Sequence, residues 1–300
     1  MSYRNYETQN LDVKTTYKNI LENQTLEHVI AMKKQFGNPK INLNIWKVFD
    51  KLNYIIDNSD PDNDLPQMIH AYQTAESIYH RYFYRNTLLK DILIKDLFNL
   101  DEWRKLPNKY RTLFDNKTLT NFYPSITKWD WLPLVGFIHD LGKILLLPQY
   151  GNLPQWSVVG DTFPVGFPLS KNFPYYSEKF HLDHDNIYNK HCGLENIHMS
   201  YSHDEYLSNV LEYNQHKHTL PKEAIYIIRF HSFYSWHTPN SDRSYAYLAS
   251  DYDWYMLPLL KTFQKADLYS KSTEIPTIDS IKKTYSKLFE TYFENLNLLW

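Results

Sequence analysis

Leu134-Val135-Gly136-Phe137-Ile138-His139-Asp140-Leu141-Gly142-Lys143 sets an imidazole and a carboxylate inside an otherwise apolar, helix-like run. A buried carboxylate is costly unless it is paired or bound to a metal. Neighbours on a helix point about 100° apart, so His139 and Asp140 cannot hold one ion as an i, i+4 pair does. They can serve two ions if the aspartate bridges. Lys143 lies at i+4 from His139 and i+3 from Asp140, so it leans over the same surface. An ammonium group there would orient an anion or an oxygen-rich substrate. Gly142 keeps the neighbourhood open.

Four other segments carry matching donors. His70 lies in Met68–Glu76, His203 in Tyr201–Tyr206, His231 in Arg229–Tyr234 and Asp267 in Gln264–Tyr269. Asp267 shares a helical face with Met256, Leu260 and Phe263, so it needs a partner: Lys271 at i+4, or a metal. A single histidine on an apolar face is most often a hydrogen-bonded core residue. Six donors in this order point instead to a centre, and four imidazoles with two carboxylates suit two transition-metal ions held close together. Histidine with carboxylate and no thiolate fits iron, manganese, zinc or cobalt. The chain's other histidines read as structural or surface residues.

Helical periodicity dominates. Thr15–Phe36, Leu43–Ile56, Gln67–Tyr84, Thr87–Leu100, Pro221–Tyr234, Asp253–Lys271 and Ile278–Leu296 all read as helices. Asp130 is placed to cap the helix carrying Pro133, and Ser202 with Glu205 matches a capping box. Tyr150–Tyr188 reads as long ordered loops, with a short hairpin around Trp156–Val159. The fold class is therefore all-α. The 300 residues read as one domain, because donors from position 70 to 267 must converge. Residues 85–128 read as a surface insertion within it.

A formal charge of −2 gives no basic excess for nucleic acid. Cys192 is the only cysteine, so no intramolecular disulfide forms and a reducing compartment, the cytoplasm, fits. The longest apolar stretch, Trp131–Leu147, is too short and too charged to span a membrane.

The order His, His-Asp, Asp on helices resembles the HD-domain superfamily, most of whose members are metal-dependent phosphohydrolases. Longer words narrow the likeness. Asp60-Pro61-Asp62, His70–Glu76, Leu134–Lys143, Pro154–Gly166, His191–Asn196, His203–Leu207 and Ile228–Tyr234 resemble the myo-inositol oxygenase family, and the likeness runs from Tyr3 nearly to Trp300. The resemblance implies an HD-domain-like helical bundle and a di-iron oxygenase that uses O2 to cleave myo-inositol to D-glucuronate. One iron would be held by His70, His139, Asp140 and Asp267. The other would be held by Asp140, His203 and His231, with Asp140 bridging. The active pair would be mixed-valent Fe(II)/Fe(III), without an organic cofactor.

Substrate contacts implied by the resemblance fall on Arg4, Asp57, Lys143, Gly160, Asp161, Ser232 and Lys271. Lys143 and Asp140 carry the catalytic roles, Lys143 by favouring a deprotonated substrate oxygen. The protein is expected to act as a monomer. Two departures from the family pattern are the wide spacing from His70 to His139, owing to 85–128, and a shortened loop between Asp161 and His203. The insertion is expected to take no catalytic part. The competing reading is an HD-domain metal-dependent phosphohydrolase, which would want several cations for phosphate. Asp57 and Asp161 would repel that charge.

Overall fold

The computed structural model describes residues 11–61, 65–84, 89–177, 185–239, 241, 243–268 and 277–300, the side chains of Tyr84 and Ile278 excepted. The expectations for Arg4 and Lys271 fall outside these residues.

Helices build the fold. They are α1 (Leu11–Asn23), α2 (Leu26–Phe36), α3 (Ile45–Lys51), α4 (Gln67–Tyr79), α5 (Leu100–Lys105), α6 (Asn108–Phe114) and α7 (Leu119–Phe122). They continue with α8 (Trp131–Ile138), α9 (His203–Tyr213), α10 (Lys222–Phe230), α11 (Tyr234–His237), α12 (Asp251–Asp267) and α13 (Ile278–Tyr292). Two three-residue strands, β1 (Asn42–Asn44) and β2 (Asn297–Leu299), pair antiparallel with Leu43 opposite Leu298. Among the described residues no helix is long and apolar enough to cross a membrane.

α8 is buried along its whole length. An all-round apolar helix must be wrapped by others, and here α4, α10, α12 and α13 pack around it. Aromatic side chains fill the space between: Phe137 stacks on Phe49 at 4.2 Å and on Tyr285 at 4.7 Å. Local caps fix the element starts. Thr25 accepts from the His28 N–H, which separates α1 from α2. Ser250 and Asp253 close a capping box on α12.

Several local expectations change. Thr87–Leu100 is not one helix, because the Ile94 N–H goes to the Lys117 carbonyl, and Leu93 bridges to Thr118. Two 3-10 turns, Leu89–Asp91 and Ile94–Leu97, stand there instead. No hairpin forms at Trp156–Val159; Gln155–Ser157 is a 3-10 turn. The Asp130 carboxylate does not cap α8, since it accepts the Tyr292 hydroxyl. Ser202 caps α9 by accepting from the Asp204 N–H, whereas Glu205 pairs with Lys33 at 2.7 Å and Arg229 at 3.0 Å rather than closing a box.

Residues 89–128 pack inward as well as outward. Leu89, Ile94, Leu97, Phe114, Leu119 and Tyr123 are buried and belong to the same hydrophobic cluster as α8. Tyr110 stacks on Trp254 of α12 at 4.7 Å.

Candidate metal centre

His139 and Asp140 sit where a helix ends, not within one. α8 stops at Ile138, Asp140 adopts φ −94°, ψ 0°, and a 3-10 helix runs on over Leu141–Leu146. That break removes the 100° offset expected for helical neighbours. His139 Nε2 and Asp140 Oδ2 consequently face one another at 3.5 Å. Gly142 lets the turn press against α9: a Cβ there would lie 2.2 Å from the His203 carbonyl oxygen.

The other donors come from element ends. His70 is in the first turn of α4, His203 opens α9, His231 follows α10 and Asp267 ends α12. His139 donates Nδ1–H to the Gly136 carbonyl at 2.8 Å, His203 to Val158 at 2.6 Å and His231 to Ile228 at 2.7 Å. Such bonds orient each ring and turn its Nε2 toward the carboxylates, where it can carry a proton or, once that proton leaves, offer its lone pair to a metal.

Those nitrogens converge on carboxylate oxygens. His70 Nε2 lies 3.1 Å and His139 Nε2 3.4 Å from Asp267 Oδ1. The same two nitrogens are 3.6 and 3.5 Å from Asp140 Oδ2. On the other side, His203 and His231 lie 3.1 and 3.8 Å from Asp140 Oδ1, and their Nε2 atoms are 3.2 Å apart. Each Asp140 oxygen therefore faces a different imidazole pair. Donor atoms sharing one ion at bonds of about 2.0–2.2 Å stand about 3–3.5 Å apart. Lone pairs gathered this closely repel one another unless a proton or a cation lies between them. The donor set thus fits transition-metal ions.

Electrostatics agree. Burial raises the Asp140 carboxyl, but the charges of His139 and Lys143 and hydrogen bonds from His203 and His231 outweigh it and hold the group well below the carboxylate range. Burial likewise opposes ionisation of Asp267, and His139 and His70 overcome it. A pocket that keeps two buried carboxylates ionised attracts positive charge.

Polar residues line the approach. Lys143 is buried and places its ammonium 2.8 Å from Asp57 Oδ2, 2.7 Å from Gln67 Oε1 and 3.0 Å from Asp140 Oδ2. Its three protons are thereby matched. Burial lowers the lysine's basicity, but Asp140 and Asp57 more than restore it. Asp57 Oδ1 accepts from both the Ser59 N–H and hydroxyl. Gly160 takes φ +95°, a conformation glycine adopts freely, and a Cβ there would lie 2.5 Å from the Ile20 side chain. Asp161 is buried and accepts the Tyr17 hydroxyl at 2.6 Å. The next residue, Thr162, donates its N–H to the Ser232 carbonyl at 2.9 Å, which ties this loop to His231.

Asp204 and Gln67 were not among the sequence candidates. Asp204 is fully buried. It accepts from the Ser232 N–H and hydroxyl, both at 3.1 Å, and its Oδ1 lies 3.0 Å from His203 Nε2. A second acidic residue beside His203 was the available signal. The capping-box reading of this segment rested on Ser202 and Glu205 and gave Asp204 no task.

Fold and site together define a helical protein with a buried histidine–carboxylate centre able to hold metal. A family model described as myo-inositol oxygenase matches residues 10–116 and 105–300. Inositol oxygenase of Dictyostelium discoideum is 38% identical over 304 aligned residues, covering 98% of this chain and 88% of that protein. The inositol oxygenases of Danio rerio and Homo sapiens are each 36% identical, covering 97% of this chain and 90% and 88% of those proteins. The chain belongs to the myo-inositol oxygenase family.

Proposed function

We propose that this chain is an inositol oxygenase that holds two iron ions, mixed-valent Fe(II)/Fe(III) when active, and uses O2 to convert myo-inositol to D-glucuronate. One observation carries the reading: the two oxygens of Asp140 face two separate imidazole pairs. His70, His139, Asp140 and Asp267 would hold the first ion, and Asp140, His203 and His231 the second. All six donors come from one chain and one core, which supports action as a monomer and a single domain from 1 to 300. A lone cysteine supports a cytoplasmic setting.

The reaction balances with no further reductant per turnover. A ring carbon–carbon bond breaks, one carbon becomes an aldehyde and its neighbour a carboxylate carrying one oxygen atom of O2. The other oxygen atom leaves as water. When bound, the iron pair supplies O2 activation and a Lewis-acidic seat for the cyclitol.

The chain's own residues position the substrate. A ligand with a hydroxyl on every carbon needs a partner for each buried hydroxyl. Asp57 and Asp161 accept, Ser232 donates or accepts, and the Gly160 backbone adds a polar contact. Arg4 and Lys271 complete the proposed set. Lys143 can exchange one of its carboxylate bonds for a substrate oxygen and favour that oxygen's deprotonated form. Asp57, 2.8 Å from the ammonium, offers a carboxylate to share that proton. Lys143, Asp161, His203 and Ser232 are themselves buried, which limits water around them.

A phosphohydrolase would need spare positive charge. Lys143 is already matched by Asp57 and Asp140, which favours a neutral polyol over a phosphate. The deciding experiment loads the protein with iron under mild reduction and adds myo-inositol and air. Glucuronate formation with matching oxygen uptake is expected. Phosphate release from nucleotides without oxygen uptake would overturn the reading.

A further inference from the structure

We propose that the 89–128 segment is a positioning element for the second ion site: Glu102, acting through Lys261 and His237, holds the main chain of His231 so that its imidazole faces Asp140. This rests on the reading of His231 as a ligand.

The chain of contacts is short and buried. Glu102 lies in α5, and its two oxygens have separate tasks. Oε2 accepts the Asn99 N–H at 2.8 Å, which closes the capping box of α5. Oε1 accepts from the Lys261 ammonium of α12. Both side chains are almost wholly out of solvent, at 2% and 3% exposure. The ammonium also donates to the His237 carbonyl at 3.0 Å and lies 4.9 Å from the Phe98 ring. His237 in turn donates Nε2–H to the His231 carbonyl at 3.0 Å. His231 Nδ1 bonds the carbonyl three residues back, so a shift of its main chain carries the ring with it.

A buried ion pair between a peripheral segment and a core helix is weak evidence of added stability, because desolvating both charges offsets their attraction. It is better suited to fixing one arrangement of the parts it joins. Without Glu102, Lys261 would stand charged and unpaired in an apolar site. It would lose its proton or move; the first weakens its bond to the His237 carbonyl and the second breaks it. Groups that support a metal ligand from behind typically govern affinity by about 10–100-fold. The nearest consequence is at His231, not at the His70 side of the centre.

The test uses full-length protein titrated with Fe(II) under anaerobic conditions, with the two binding steps resolved by calorimetry and metal analysis. Glu102→Gln keeps shape and removes charge. The pair Glu102→Leu with Lys261→Met removes both charges without leaving either unpaired. Wild type is expected to bind two ions. Both variants should keep the first with unchanged affinity and bind the second about 10-fold or more weakly. Wild-type affinity for both ions in the variants would overturn the proposal, and so would equal weakening of both steps. If the double variant fails to fold, Glu102→Gln alone decides by the same criteria. Wild type binding fewer than two ions would instead remove the site reading on which the proposal stands.

Discussion

The ammonium of Lys143 lies 3.0 Å from Oδ2 of Asp140, the same oxygen that faces His70 at 3.6 Å and His139 at 3.5 Å. A fixed positive charge thus shares a carboxylate oxygen with the first ion site. It opposes a cation there rather than helping to bind one. Removing it should leave the ions in place and remove the group that aligns and polarises the substrate. Lys143→Met is expected to keep two ions per chain and to lose activity by about 10²–10³-fold, the usual cost of one preorganised electrostatic donor. Metal analysis alongside oxygen uptake measures both. Near-normal turnover in this variant would sink the catalytic role of Lys143.

Asp140→Asn tests the bridge. Each oxygen of Asp140 faces one imidazole pair, and a neutral amide offers only one good acceptor. Affinity should fall at both ion sites, by more than the roughly 10–100-fold that loss of a supporting partner costs. A variant that loses only one ion would show that Asp140 serves a single site.

Much of this centre was legible in the sequence because its residue types are expensive to bury for any other purpose. His139, Asp140 and Asp267 interrupt apolar faces, so their need for partners can be read without coordinates. The geometry was not legible in the same way. A helical register places His139 and Asp140 on different faces, and only the end of α8 at Ile138 brings them together. Glu102 was equally hidden, because a charged residue in a polar stretch looks solvated until tertiary packing buries it, and Lys261, set in the apolar run Met256–Phe263, gives no sign of which carboxylate it meets. The 87–100 stretch misled for a related reason. Its apolar spacing suits a helix, but Ile94 donates its N–H to the Lys117 carbonyl and the Ile92 carbonyl accepts from Leu119 instead.

Asp204→Asn addresses a carboxylate that touches both Ser232 and Nε2 of His203. Asp204 takes two hydrogen bonds from Ser232, and its charge beside His203 and His231 is strongly favoured despite burial. The amide can accept only one of the two bonds well. Hydrogen bonds to a charged group contribute about 1.5–3 kcal/mol, so KM for inositol should rise by about 10-fold or more. A fall in kcat with KM unchanged would show that Ser232 does not contribute to substrate binding.

Gly142→Ala tests the close approach of the 3-10 turn to α9. The added Cβ would lie 2.2 Å from the His203 carbonyl oxygen, which is backbone and cannot swing away. Overpacking of this kind costs about 1–3 kcal/mol or more. The thermal midpoint should drop by several degrees, and metal affinity should fall with it because His203 opens α9. An unchanged melting curve would mean that turn and helix separate freely.

Asp57 gives the acid limb of stability a specific source. Burial opposes its ionisation, but the Lys143 charge, a hydrogen bond from Lys143 and two from Ser59 hold its carboxyl below the ordinary value of 3.8. A carboxyl depressed in the folded state adds stability above its unfolded pKa and loses it as pH falls through the folded value. Below about pH 4 the unfolded chain takes up a proton that the folded chain still refuses, so stability must decline with falling pH. Asp57→Asn removes that difference while keeping the residue's size. Urea midpoints measured from pH 6 down to pH 2.5 should fall more steeply for wild type than for the variant, and the two curves should approach one another at the acid end. Parallel curves across the whole range would show that Asp57 is not a source of this pH dependence, and that its bond to Lys143 leaves its ionisation as it is in the unfolded chain.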